Sequence, residues 1–389
     1  FSDRIEFCRT KQNSEKSLIH LSDVIGCSAS ALKSESKFQL KIFSYPSKSK
    51  TNGKMKVRAK KHILWYTDSE SSSEEWANHI SNLVKPKIEN CLVFVCPVSG
   101  TKKGTKVWEN ELKPMMEQAK LDFHLIITER KNHARDIIAG KDRAKDSNES
   151  DKETLIQSLN EDFDINTFDC IVTVGGDGMV FEVLQGIHAR NDSQIILERM
   201  KLAAVPSGTG NGLVSTILNS SNENYSALSA SFVLVKGSPQ PIDIVHTKTQ
   251  NGLSYLSQLS MGWAIFSDLD VGSNDFSCLG PLRFELATIW FILKRKSYGA
   301  RISWLPLDQN MLDNGNCSNW VTVEGDFLLY LATQVSHISS DCNVNPASEM
   351  GDGIIQIIYC QRNEMSRLDL LKWFLSIDEG THLDNPYVH

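Results

Sequence analysis

No stretch of this sequence is apolar for long enough to cross a bilayer. The longest, Leu286 to Leu293, runs to eight residues, where a spanning helix needs roughly 20; a soluble protein that at most touches a membrane is expected. A basic excess is missing too. The 41 Lys and Arg against 47 Asp and Glu give a formal charge of −6, which argues against nucleic acid as a partner. The nine cysteines form no CxxC pair and no metal-ligand spacing, so reduced cytosolic thiols are expected rather than a disulfide scaffold or a zinc site. Two familiar nucleotide signatures are also absent. "GTKKGTK" at 100–106 misses the GxxxxGK[ST] spacing, and no GxGxxG fingerprint is present, so a nucleotide would have to be held in some other way. The opening "FSDRIEFC" is polar and mixed, unlike a secretory signal, and its first residue is Phe rather than Met, which leaves room for residues before it.

What is present is an ordinary globular composition, 41% hydrophobic and 23% charged, in a chain too long for one core. Its texture divides it into three segments. Residues 1–87 alternate short β-like runs, "KFQLKIFSY" and "KHILWYT", with polar turns. They close on "SSSEEWANHISNLV", where an N-cap serine and an apolar face at Trp76, Ile80 and Leu83 predict a helix. A small pleckstrin-homology-like module and a sub-domain packed on the rest both fit. From 88 to 239 continuous apolar runs ("CLVFVCP", "FHLIIT", "CIVTV", "KLAAVP") alternate with helical patterns, which predicts a doubly wound parallel sheet. From 240 to 389 the pattern turns β-rich and mainly antiparallel, interrupted by one long helix near 282–296 and a loop at "LDQNMLDNGNCSNW".

Three glycine-containing turns, "PVSGTKKG", "GGDGM" and "PSGTGNG", fall at the carboxyl ends of the predicted parallel strands, where such sheets bind ligands. Glycine turns entering helices present backbone N–H groups and the positive end of the helix dipole. Gly175, Gly176, Gly178, Gly208, Gly210 and Gly212 therefore suit a polyphosphate. Asp177 stands among them, a carboxylate where phosphate would be repelled. It reads either as the cap of a helix beginning near Met179 or as a general base that receives an alcohol's proton and helps hold Mg²⁺; the second glycine turn beside it favours the base.

With "TERKNHARDI" (128–137), "VGGDGMVFEVLQGI", "PSGTGNG", the segment 261–306 and "EGTHLDNPYV" (379–388), the chain resembles the lipid kinases related to diacylglycerol kinase, and among them the sphingosine kinases. GGDG alone would also suit relatives of NAD kinase or phosphofructokinase, which have no counterpart to the segment after 261. The resemblance implies an α/β catalytic domain with a NAD kinase- and diacylglycerol kinase-like parallel sheet, followed by a β-rich lipid-binding domain. It implies ATP and Mg²⁺ as cofactors. Asp177 matches the catalytic base; Gly175, Gly176 and Gly178 the phosphate turn; Thr209 and Gly210 the second nucleotide turn; Thr128 a residue lining the nucleotide site; and Arg283 an arginine on the ATP phosphates. Asp270, second acid of "SDLD", matches the residue that holds the sphingosine head group, with Ser260 lining the same pocket. Leu286, Ile289 and Trp290 lie at helical spacing with Leu282 and Leu293, as core residues usually do. Phe284 and Phe291 make other faces apolar as well, and Lys294, Arg295 and Lys296 crowd the helix end. The resemblance makes this helix the gate over the lipid's alkyl chain and the face toward an anionic membrane.

The activity implied is phosphorylation of the primary hydroxyl of sphingosine or a related sphingoid base, in a cytoplasmic protein that associates peripherally with membrane and has room for a homodimer. The alternatives are a ceramide or diacylglycerol kinase on the same scaffold and a catalytically impaired lipid-binding relative. Cys96 and Val98 stand where that family commonly has Asn-Pro followed by a basic or small residue, and Ser277 stands where it often has arginine. The sequence ends at His389, before the family's Asp-Gly-Glu segment; a fragment and a damaged enzyme would both read this way.

Overall fold

The computed structural model describes residues 4–8, 16–32, 37–49, 55–98, 102–141, 164–208, 210–272, 283–307 and 320–389. The chain divides into two compact units, Phe1–Pro239 with His246–Leu256, and Gln240–Val245 with Ser257–His389. The expected architecture is what the structure shows: early antiparallel strands, a parallel α/β sheet, then an antiparallel sheet.

In the first unit β1 (Val24–Ala31), β2 (Phe38–Ser44) and β3 (Lys61–Thr67) form an antiparallel sheet crossed by helix α1 (Glu70–Leu83). The helix starts earlier than the serine run at 71–73. Ser69 keeps an extended backbone, and its side chain accepts from the Ser72 N–H at 3.3 Å. The buried stripe is Ser73, Ala77 and Ile80, packed with Leu40 and Ile42. Trp76 and Leu83, expected on the core face, are 46% and 54% exposed. They sit about a quarter-turn off that stripe, and Trp76 packs on Trp65 instead, with ring centroids 5.9 Å apart. Buried polar groups fasten these strands to later parts of the same unit. The Tyr45 hydroxyl donates to Gln118 at 2.8 Å. Arg58 joins Asp23 at 2.9 Å and Glu223 at 2.6 Å and lies 3.6 Å from the Phe232 ring centroid.

The parallel sheet consists of β4 (Asn90–Val95), β5 (Asp122–Ile127), β6 (Cys170–Gly175) and β7 (Lys201–Pro206), in the order β7-β6-β4-β5. Its helices include α2 (His133–Ile138), α3 (Asp177–His188), α4 (Gly212–Ser220) and α5 (Ala227–Lys236). The predicted helix over 107–119 begins sooner, at Gly104, and tolerates Pro114 through a wider turn at Trp108–Leu112. Chain order reverses between β4 and β6, so their carboxyl ends flank a topological switch point. Met179, Val183 and Ile187 of α3 pack on Leu92, Phe94 and Ile171 of the sheet. That apolar layer fixes the helix whose first residue is Asp177.

In the second unit the long strand β10 (Val321–Thr333) pairs antiparallel with β8 (Ser260–Ala264), β9 (Tyr298–Trp304) and β11 (Gln356–Gln361). Three helices accompany it: α6 (Ile265–Gly272), α7 (Arg283–Lys294) and α8 (Arg367–Leu375). Ala264 adopts φ 60°, a left-handed conformation that costs a non-glycine residue about 1 kcal/mol or more. It turns β8 directly into α6, so "SDLD" is helical. Among the described residues no helix is long and apolar enough to cross a membrane. The loop at 307–320 and the charged stretch at 141–153 lie almost entirely outside the described residues.

Candidate active site

The ends of the parallel strands are tied together by their own turns. Thr128 N–H donates to the Val95 carbonyl at 2.9 Å, Cys96 N–H to Val174 at 3.0 Å, and Ser207 N–H to Gly175 at 3.2 Å. Gly104 packs closely on the end of β4: a Cβ there would stand 2.1 Å from the Cys96 carbonyl oxygen. Thr128 is buried, and its hydroxyl donates to Val95 at 3.3 Å. His133 Nδ1 accepts from the Glu129 N–H at 3.0 Å, which shapes the turn after β5.

Asp177 does not cap its own helix. Gly176 is the N-cap of α3, and Asp177 is the first helical residue. Its carboxylate crosses to the next glycine turn, accepting from Gly212 N–H at 2.6 Å and Leu213 N–H at 3.3 Å. Those two amides at the start of α4 are engaged, so Gly212 drops out of the expected phosphate cradle. Burial pushes the Asp177 carboxyl up to about 6, against the pull of the two amides. Each carboxylate oxygen keeps a lone pair free after accepting one hydrogen bond.

Asn211, which the sequence reading passed over, completes the link. Its Oδ1 accepts from Val214 N–H at 3.4 Å as the N-cap of α4, and its Nδ2 donates to the Gly175 carbonyl at 3.0 Å. The signal was available, since Asn before an apolar helical run is a preferred N-cap. The Tyr225 hydroxyl, also missed, donates to the Gly208 carbonyl at 2.6 Å. Glu182, a third, accepts from Asn132 N–H at 2.8 Å and joins α3 to the turn before α2.

Among the described residues, a Cβ placed on Gly178 or on Gly210 would meet no atom within 4 Å. Neither position needs glycine for internal packing or for a positive φ. The missing side chains leave space over the helix-start amides, which suits a phosphate group. Thr209 lies outside the described residues. For Mg²⁺, no cluster of three or more His, Cys, Asp or Glu occurs among the described residues. A metal held by one carboxylate and the substrate's own phosphates fits this donor set.

In the second unit Asp270 is an exposed residue of α6, and Asp268 accepts from the Tyr298 hydroxyl at 2.6 Å. Of the two acids of "SDLD", Asp268 is half-buried and Asp270 exposed. Ser260 begins β8, opposite Thr333 and half-buried. The expected apolar stripe of α7 is not core: Leu286, Ile289, Trp290 and Leu293 are 41–57% exposed, while Ala287 and Ile292 form the buried side. Lys294 Nζ lies 4.7 Å from the Trp290 ring centroid. Arg283 opens the helix, with its side chain outside the described residues, as are Leu282 and Ser277.

The diacylglycerol kinase catalytic domain family matches residues 90–247. A Bacillus anthracis structure assigned as a diacylglycerol kinase shares the fold, with TM-score 0.51, 17% identity, and coverage of 78% of this chain and 84% of that one. Mouse sphingosine kinase 1 is 26% identical over 332 residues, 78% of this chain and 80% of the relative. The human enzyme of the same name is 25% identical, covering 78% and 81%. Arabidopsis thaliana sphingosine kinase 1 is 25% identical, covering 81% of this chain and 64% of the relative. Residues 90–247 thus match a lipid kinase catalytic domain, and the chain is similar to sphingosine kinases over about four-fifths of its length.

Proposed function

We propose that the protein transfers the γ-phosphoryl group of ATP to the primary hydroxyl of sphingosine or a related sphingoid base, giving sphingosine 1-phosphate. The observation that carries the reading is the Asp177 carboxylate, held by α4 amides beside the open space over Gly178 and Gly210, with burial pushing it up to about 6. Asp177 accepts the hydroxyl proton as the alcohol oxygen bonds to the γ-phosphorus and the bond to the ADP oxygen breaks. The N–H groups of the Gly175–Gly178 turn hold the donor phosphates, with Thr128 and Gly210 on the nucleotide side; Thr209 and Arg283 are added to it by the sequence resemblance alone. Mg²⁺, bound to the phosphates with Asp177 as its protein carboxylate, would neutralise their charge.

Asp270 gives the reading its substrate. An exposed carboxylate can receive an ammonium ion, which sphingosine carries and ceramide and diacylglycerol lack. Ser260 lines the same head-group site, and the exposed stripe of α7 covers the alkyl chain and meets anionic membrane. The curated relatives named for sphingosine support this choice. The test is Asp270→Asn: use of sphingosine should weaken about tenfold or more, as for a lost charged hydrogen bond, while any trace activity on neutral lipids is unchanged. Equal losses on both lipid classes would remove Asp270 from ammonium recognition.

A further inference from the structure

The second unit contains an open pocket of about 530 Å³ lined by Arg295, Asp326, Gln361, Arg362 and Asn363. None of these residues takes part in the proposed phosphoryl transfer. The pocket forms where α7 ends, where β10 is irregular, and where β11 turns toward α8. Arg295 ends the helix with φ 46°, and its Nη2 donates to the carbonyls of Arg362 and Met365. Its Nε is buried with no hydrogen-bond partner among the described residues. Arg362 Nη1 donates to Ser297 Oγ at 3.1 Å, and its backbone N–H to the Asp326 carbonyl at 2.8 Å.

Two guanidinium groups are thus held in place by neutral acceptors, and Asp326 is the one carboxylate among the five lining residues. Asn363 adds a neutral amide, while Gln361 Nε2 already donates to the Glu324 carbonyl at 3.3 Å. Such a surplus of positive charge and planar N–H forks suits a phosphate group. The single carboxylate at the rim suits a hydroxyl or ammonium next to it. We infer that this pocket binds a phosphate ester bearing an adjacent hydroxyl or ammonium group.

The ester could be a lipid headgroup or a soluble molecule, and the surroundings favour the lipid. Helix α7, which runs into the pocket, exposes Leu286, Ile289, Trp290 and Leu293; α8 exposes Leu368 and Leu375 by 70% and 74%. Arg367 Nε donates to the Leu293 carbonyl at 2.8 Å, which places the start of α8 beside the end of α7. A headgroup would therefore be met where apolar side chains face outward.

The test uses the intact protein in two arms: flotation with phosphatidylcholine vesicles with or without phosphatidylglycerol, and thermal unfolding against glycerol 3-phosphate. Arg362→Gln should weaken binding to the phosphatidylglycerol vesicles about tenfold or more, the loss expected of one charge-assisted contact. Lys248→Gln, which removes an exposed cation of the first unit, should not. Arg362 is exposed, so its replacement is tolerated by the fold. Asn363→Asp, which adds a repulsive carboxylate, must give the same loss. An effect seen with glycerol 3-phosphate alone assigns the same pocket to a soluble ester. Equal losses from Arg362→Gln and Lys248→Gln, or no loss in either arm, overturn the inference.

Discussion

Replacing Asp177 by Asn separates its two readings, a base and a brace for α4. The ionised carboxyl, raised from 3.8 to about 6 by burial, costs about 3 kcal/mol at neutral pH relative to an unperturbed one. An amide removes that cost. It also turns an NH₂ toward one of the two amides at Gly212 and Leu213, and an unpaired N–H costs about 1–3 kcal/mol. The two effects nearly cancel, so unfolding by urea at pH 7 should shift by no more than about 2 kcal/mol, and a fluorescent ATP analogue should still bind. Turnover at saturating substrates should fall by about a hundredfold or more, the usual loss for a general base. The wild-type pH dependence reports the same group. Because its folded pKa lies above the unfolded value, its stabilising share is complete below about pH 4 and is lost as pH rises through about 6. The acceptor role needs the ionised form, so kcat/KM should fall below about pH 6. Turnover of Asp177→Asn within a few-fold of wild type would refute the base assignment, and a large stability loss with modest turnover loss would make the residue a brace.

Gly178→Ala should leave the fold unchanged or raise its stability by about 0.5–1 kcal/mol, because the added Cβ meets no atom among the described residues. It should raise KM for ATP; an unchanged KM would mean that no phosphate approaches that backbone. Arg58→Met removes the partner of Glu223, whose side chain is 3% exposed. Urea unfolding should show a loss of about 3–5 kcal/mol, where breaking the exposed Arg301–Glu324 pair costs under about 1 kcal/mol. A small effect at Arg58 would mean that the early strands do not depend on that network.

The parallel sheet was legible because strands buried on both faces leave continuous apolar runs, and its turns because glycine clusters break those runs at the strand ends. Asp177 could be picked out, yet its partners could not. The Gly212 and Leu213 amides lie 35 and 36 residues away, a pairing set by the order of the strands rather than by local pattern. Asn211 was within reach of a local rule and was passed over among the glycines around it. On α1 and α7 the apolar residues were visible, but which stripe meets the core depends on tertiary packing. Spacing alone gave Trp76 and Leu83 to the core of one helix, and on the other it could not show that Ala287 and Ile292 are buried while Trp290 is exposed. The pocket at Arg295 joins residues from three separated stretches, and no motif announces it.

The central claim is the identity of the acceptor, and an ATP-dependent kinase assay tests it most directly. With γ-labelled ATP and Mg²⁺, the protein is offered sphingosine, ceramide and diacylglycerol side by side. Label is predicted on the primary hydroxyl of sphingosine, with little on the two neutral lipids. Label chiefly on diacylglycerol or ceramide would contradict the account.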